Sequence, residues 1–215
     1  MELPRDEQNP ASLFSLTEDL IHSDPSVKYY IINNLDRFMI TVGSEIRQKQ
    51  LLDQITSIEF TNDILAYSEL VHEYVKKIIL MSYNNEDKLP FLKALENILN
   101  DSFQQFIIED IEGGILTILA ELGEELPTHC DRILDEFYKS KVVAKQCLIP
   151  AIISQYYSIL SKESQNTYIE VFHNLSQQGV PLLKRKISQN LHEWGFLSDE
   201  EIMIMLEQFI KDPNE

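Results

Sequence analysis

Glycine and proline are scarce in this 215-residue chain, numbering six and eight. That leaves little material for the turns of an all-β sandwich or for Gly-rich phosphate-binding loops. Cysteine is scarcer. Cys130 and Cys147 match neither zinc-ligand spacing nor a disulfide framework, so each reads as a small apolar residue in a reducing compartment. Positive charge is short as well: 18 Lys and Arg face 35 Asp and Glu, a net charge of −17. A surface that negative repels phosphate backbones and anionic lipid, which argues against nucleic acid and membrane surfaces as partners. The longest apolar clusters, such as Ile78–Met81 and Leu148–Ile153, fall far short of the ~18–20 residues that span a bilayer. Met1-Glu-Leu-Pro-Arg-Asp-Glu-Gln8 has no basic start leading into an apolar stretch, so no secretory signal is expected. The expectation is a cytoplasmic protein, or one shared with the nucleus.

Catalytic signatures are missing too. No Gly-x-Ser-x-Gly, P-loop, Gly-rich dinucleotide turn or His-Glu-x-x-His occurs. The five histidines, at 22, 72, 129, 173 and 192, are scattered. Only His129 has a Cys or His nearby, the adjacent Cys130, and neighbours in sequence do not share a helix face. No metal and no cofactor are expected. Acidic clusters such as Glu109/Asp110/Glu112 and Glu121/Glu124/Glu125 read as solvated helix faces. A helical enzyme with an unrecognised acidic site stands as a distant alternative to a non-enzyme.

What the chain does have is period. Hydrophobic residues make up 44% and charged ones 25%, enough for a buried core. Apolar residues at i, i+4 and i+8 mark one helix stripe. They occur at Val27/Ile31/Leu35, Tyr67/Val71/Val75, Ile107/Ile111/Ile115, Val143/Cys147/Ala151 and Leu183/Ile187/Leu191. The first members stand 40, 40, 36 and 40 residues apart. A helical period near 40 is the mark of HEAT and armadillo arrays.

Shorter amphipathic segments alternate with these stripes: Leu16–Ile21, Leu51–Ile58, Leu89–Leu99, Ile133–Tyr138, Tyr168–Leu175 and Ile202–Ile210. Polar breaks separate each of the first five from its stripe, as at Thr61-Asn62-Asp63, Asp101-Ser102 and Lys139-Ser140-Lys141. Pro25 and Pro181 stand where second helices begin, a position that tolerates the missing N–H. Asp24 can cap the first of these, and Ser198 to Glu201 has the form of a capping box.

The predicted fold is all-α, an α-solenoid of about five HEAT-type repeats plus an unpaired last helix. The repeats cover approximately 12–47, 48–86, 87–126, 127–163 and 164–197, with a partial sixth at 198–215, after a mobile lead-in at 1–11. Because Lys211 to Glu215 stops in mid-repeat, the chain reads as a stretch of a longer array or a small adaptor. The apolar face of the last helix (Ile202, Met203, Met205, Leu206, Phe209, Ile210) has no following helix to cover it, so self-association there is expected. Gly113-Gly114 falls inside a second helix and reads as close helix packing or a bend. Trp194 and Phe196 are assigned to the core.

One patch runs against the charge balance. Lys184, Arg185 and Lys186 follow Gly179-Val180-Pro181 in the first turns of a helix, where cations oppose the macrodipole. They are either neutralised within the chain or turned to a partner; Lys139, Lys141 and Lys145 repeat the pattern one unit earlier.

The run Val180-Pro-Leu-Leu-Lys-Arg-Lys-Ile-Ser-Gln-Asn-Leu191, after Phe172-His-Asn-Leu-Ser176, resembles the fifth HEAT repeat of the scaffolding A subunits of protein phosphatase 2A. Leu16-Thr-Glu-Asp-Leu-Ile-His-Ser-Asp24, Val27-Lys28 and Ile31–Leu35 are similar to that family's first repeat, and Ile40 to Leu52 to its first inter-repeat link. The likeness runs in register over roughly residues 12–212. It implies a non-catalytic scaffold whose turns within repeats hold a regulatory B-type subunit. The catalytic subunit would dock only on carboxy-terminal repeats, which lie outside this stretch. Carried over by position, the partner-facing residues are Thr61, Asn62 and Asp63 in the second turn and Ser102, Phe103 and Gln104 in the third. They are Lys141 and Val142 in the fourth turn, and Gly179, Val180, Pro181, Lys184 and Arg185 in the fifth. The third and fourth turns depart from the family pattern, which carries an aromatic residue where Lys141-Val142 stands. Another HEAT adaptor, of the protein phosphatase 4 regulatory or transport type, is the alternative.

Overall fold

The computed structural model describes residues 25–42, 45–56, 58, 68–99, 105–178, 180–191, 195 and 197–210. Every regular element among them is helical. The chain divides into two compact units, residues 1–121 and 122–215.

The first unit holds α1 (Pro25–Asn33), α2 (Leu35–Val42), α3 (Glu45–Thr56), α4 (Ser68–Tyr83), α5 (Leu89–Ile98) and α6 (Gln105–Ala120). Pro25 is the first helical residue of α1, as its fixed φ favours. Asn34 interrupts the run into α2: its side-chain Nδ2 donates to the Tyr30 carbonyl at 2.8 Å, competing for the helix's own acceptor. α4 lies against both α1 and α6, and α5 lies against α3, α4 and α6. The core between them is made by Ile31, Ile32, Leu35, Ile55, Val71, Tyr74, Ile78, Phe91, Leu95, Ile111 and Ile115, all at most 3% exposed. Tyr74 is fully buried, and its hydroxyl donates to the Ile55 carbonyl at 2.7 Å, which ties α4 to α3.

Gly114 and Gly113 separate the two readings of the glycine pair. A Cβ on Gly114 would sit 2.9 Å from Leu95 Cδ1, 3.2 Å from Val75 Cγ1 and 3.4 Å from Ile79 Cδ1. Close packing of α6 on α4 and α5 therefore requires that glycine. Gly113 faces open space. Val27 corrects the first stripe: it is 38% exposed, while Lys28 is 4% exposed. α1 lies against α4, and its buried residues are Lys28, Ile31 and Ile32, followed by Leu35 at the start of α2. Desolvation pulls the Lys28 ammonium below its ordinary pKa.

The second unit opens on a short 3-10 turn at Gly123–Glu125, where Gly123 takes φ +55°, a left-handed conformation that favours glycine. Then come α7 (Leu126–Lys139), α8 (Val143–Tyr156), α9 (Lys162–Ser176), α10 (Pro181–Asn190) and α11 (Asp199–Ile210). α8 packs on α7, α9 and α10, and α9 packs on α10. Ala144, Cys147, Leu148, Ile149, Ile152 and Ile153 leave α8 apolar nearly all round, which suits a helix covered from several sides. α8 continues through Pro150, which has no N–H to give the carbonyl one turn back. The Ser198 capping box forms as read: Ser198 N–H donates to Glu201 Oε2 at 2.8 Å, and Glu201 N–H donates to Ser198 Oγ at 3.3 Å.

Ile133–Tyr138, Tyr168–Leu175 and Ile202–Ile210 fall inside α7, α9 and α11, which extend them through polar residues, whereas Leu51–Ile58 and Leu89–Leu99 run past the ends of α3 at Thr56 and α5 at Ile98. Residues 1–24, Tyr67, Trp194 and Phe196 lie outside the described residues. In the last helix Met205 and Phe209 are buried, whereas Met203 and Ile204 are 56% and 50% exposed. An all-helical chain of this kind is compatible with an α-solenoid.

Candidate partner-binding turns

Seven of the thirteen residues assigned to partner contact (Thr61, Asn62, Asp63, Ser102, Phe103, Gln104 and Gly179) lie outside the described residues. The other six belong to two turns of the second unit, before α8 and before α10, and α8 lies against α10.

The link from α7 to α8 is three residues long. Ser140 leaves α7 in an extended conformation (φ −70°, ψ 143°), and its N–H still donates to the carbonyls of Glu136 and Phe137. Val142 is extended as well (φ −82°, ψ 113°), and its carbonyl accepts from the N–H groups of Lys145 and Gln146. Two side chains close the link. Ser140 Oγ accepts from Val142 N–H at 3.1 Å, and Gln146 Nε2 donates to the Ser140 carbonyl at 3.0 Å. Lys141 is exposed and Val142 half-buried. The cations around Lys141 are occupied: Lys139 Nζ is 2.7 Å from Asp135 Oδ1, and Lys145 Nζ is 3.4 Å from Glu136 Oε1 and 5.7 Å from the centre of the Phe137 ring.

Before α10, Gln177 and Gln178 donate their N–H groups back into the end of α9, and Ser176 Oγ donates to the His173 carbonyl at 2.8 Å. Val180 is extended, and Pro181 opens α10. Pro181 and Arg185 are exposed, and Val180 is half-buried. Lys184 is only 8% exposed and Lys186 3%, because the buried side of α10 runs Leu183, Lys184, Lys186, Ile187. Each of the three cations has an interaction within the chain. The basic run is thus divided, with Arg185 alone of the three on the outer side.

Away from the turns, a part-buried polar cluster joins α7 to α9. Ser164 Oγ donates to Asp131 Oδ2 at 3.0 Å, and the Tyr168 hydroxyl donates to the Asp131 carbonyl at 3.1 Å. Burial, with Asp131 adding to it, pushes the Cys130 thiol up to about 12; burial, with Cys130 adding to it, takes Tyr156 to about 12. Burial first, and then the Asp131 charge, raises Tyr168 as well. A protonated, fully buried thiol is a poor nucleophile, and Cys130 packs as a small apolar residue. Elsewhere His72 Nδ1 is 2.9 Å from Asp110 Oδ2, bridging α4 and α6. Among the described residues no group of three or more His, Cys, Asp or Glu side chains is placed to hold a metal ion, and no helix is long and apolar enough to cross a membrane.

The two anchors of the α7–α8 link, Ser140 and Gln146, went unassigned from sequence. A serine in a short polar break is a turn signal by its side-chain hydrogen bonding. Gln146 has none, since a glutamine in the first turns of a helix reads as solvated.

No protein-family model matches the chain, and no curated protein matches it.

Proposed function

We propose that the chain is a non-catalytic scaffold of a protein phosphatase 2A-like holoenzyme, its turns holding a regulatory B-type subunit. On this reading the helices are HEAT-type pairs, α3 with α4, α5 with α6, α7 with α8 and α9 with α10. α1 is the second helix of the first repeat, and α11 opens a sixth. The observation that carries the reading is a set of side-chain bonds between corresponding helices: His72 to Asp110, Tyr168 to Asp131 and Asn174 to Tyr138 span 38, 37 and 36 residues. Helix pairs that recur at such an offset and lie side by side are how a repeat array buries a core that one pair cannot. The likeness of Val180 to Leu191 to a repeat of the phosphatase scaffolds supplies the partner. The same reading places the chain in the cytoplasm, with the nucleus open to it.

Of the six described contact residues, Lys141, Pro181 and Arg185 are exposed and carry the docking assignment. The experiment is calorimetric titration of the full chain with a purified B-type subunit. Arg185→Ala is expected to weaken binding at least tenfold, about 1.4 kcal/mol, with the melting temperature unchanged. No binding by the wild-type chain refutes the scaffold role. A lowered melting temperature with intact binding removes Arg185 from the site.

A further inference from the structure

We infer that Gln146 and Ser140 are positioning residues that hold Lys141 out from the α7–α8 turn toward an acidic segment of the partner, an inference that rests on the docking role proposed above. A three-residue link with no side-chain ties samples many backbone conformations, and a partner must arrest them on binding. Here the Gln146 amide fixes the Ser140 carbonyl at 3.0 Å and the Ser140 hydroxyl fixes the Val142 N–H at 3.1 Å, on either side of Lys141. The link is therefore ordered before any partner arrives.

What it presents is a cation. Lys141 is exposed and has no ion pair among the described residues, whereas Lys139 is held by Asp135 and Lys145 by Glu136. Both lysines that flank the link are thus neutralised by carboxylates of α7, and Lys141 between them is not. The positive end of α8, which begins two residues further on, adds to the field at Lys141. An ammonium carried on an ordered backbone with that field behind it recognises a carboxylate, and pre-ordering of the link lowers the conformational cost of doing so.

Four proteins decide it: the full-length wild type, Lys141→Met, Gln146→Met and the double variant, each titrated with the purified B-type subunit at several salt concentrations. Methionine keeps the length of glutamine and removes its donor. Gln146→Met is expected to weaken binding about fivefold and flatten its salt dependence, the size of one hydrogen bond converted to affinity. In the Lys141→Met background it is expected to change nothing further, because a residue that acts through Lys141 has nothing left to position. Equal losses in both backgrounds, or no loss in either, overturn the inference. Hydrogen exchange reads the ordering without a partner. The Val142 amide is expected to exchange several-fold faster in Gln146→Met and in Ser140→Ala, while the later turns of α8 keep their protection. Unchanged exchange at Val142 overturns the positioning role even where the B-type subunit binds. A wild-type chain that fails to bind the subunit overturns the docking half, and the exchange result then decides the ordering alone.

Discussion

Adding one methyl group at two adjacent glycines tests how closely α6 approaches α4 and α5. In a helix interior, Gly→Ala is favourable by about 1 kcal/mol, since alanine has less backbone freedom to lose. At Gly113 nothing lies within 4 Å of the new Cβ, so that gain is expected in full. At Gly114 the methyl would stand 2.9 Å from Leu95 Cδ1 and 3.2 Å from Val75 Cγ1. Leu95 is fully buried and has little room to turn, and the β-branched Val75 is stiff at χ1. Overpacking of this kind costs about 1–3 kcal/mol, which offsets the propensity gain and leaves Gly114→Ala between neutral and about 2 kcal/mol destabilised. The two variants should therefore differ by about 1–3 kcal/mol although they are one residue apart and chemically identical. Urea titration followed by far-ultraviolet circular dichroism measures it. With a slope of about 1–3 kcal/mol per molar, Gly113→Ala should raise the midpoint by about 0.3–1 M, and Gly114→Ala should leave it level or lower it. If Gly114→Ala is as stabilising as Gly113→Ala, the packing of these three helices is not the one described.

Ile111 is fully buried in α6, so Ile111→Asp should destabilise the chain by several kcal/mol, read as an early denaturation midpoint; a wild-type midpoint would place that stripe outside the core. Tyr74→Phe removes the donor from the Ile55 carbonyl while keeping the ring, and should cost about 1–2 kcal/mol in the same assay. Stability should also fall in alkali. The Cys130 thiol is raised from 9.0 to about 12 in the fold, so above pH 9 the unfolded chain releases a proton that the folded chain keeps. The unfolded state then binds fewer protons, and stability declines between about pH 9 and 12 at up to about 1.4 kcal/mol per pH unit for this group. Cys130→Ala should flatten that slope in a pH series of urea titrations; an unchanged slope would mean the thiol titrates normally.

Helix identity was legible in the residues because its signals are local. Apolar stripes, Pro25 and Pro181 at helix starts and the Ser198–Glu201 box all act within one or two turns. Extent was read short where polar residues continue a helix on its solvent side, as at both ends of α7. Periodicity marks the buried stripe and is silent about the residues opposite it.

Which side chains a neighbour covers depends on helices distant in sequence, as Leu95 and Val75 against Gly114 show. Sequence therefore determined that the chain is helical, where α1, α10 and α11 begin, and that Ile31, Ile111, Ile115, Leu183 and Ile187 are core. It left Val27 and Lys28 in each other's place, because spacing along one helix does not say which side its neighbours cover. It treated Gly113 and Gly114 alike, since only the approach of Leu95 and Val75 distinguishes them. Tertiary structure alone divided the basic run, burying Lys184 and Lys186 and leaving Arg185 outside. It alone brought the Gln146 amide to the Ser140 carbonyl, six residues back across a turn. The reason is physical: propensity, capping and stripe period are properties of a segment, whereas burial and hydrogen-bond partnership are set by what packs against that segment.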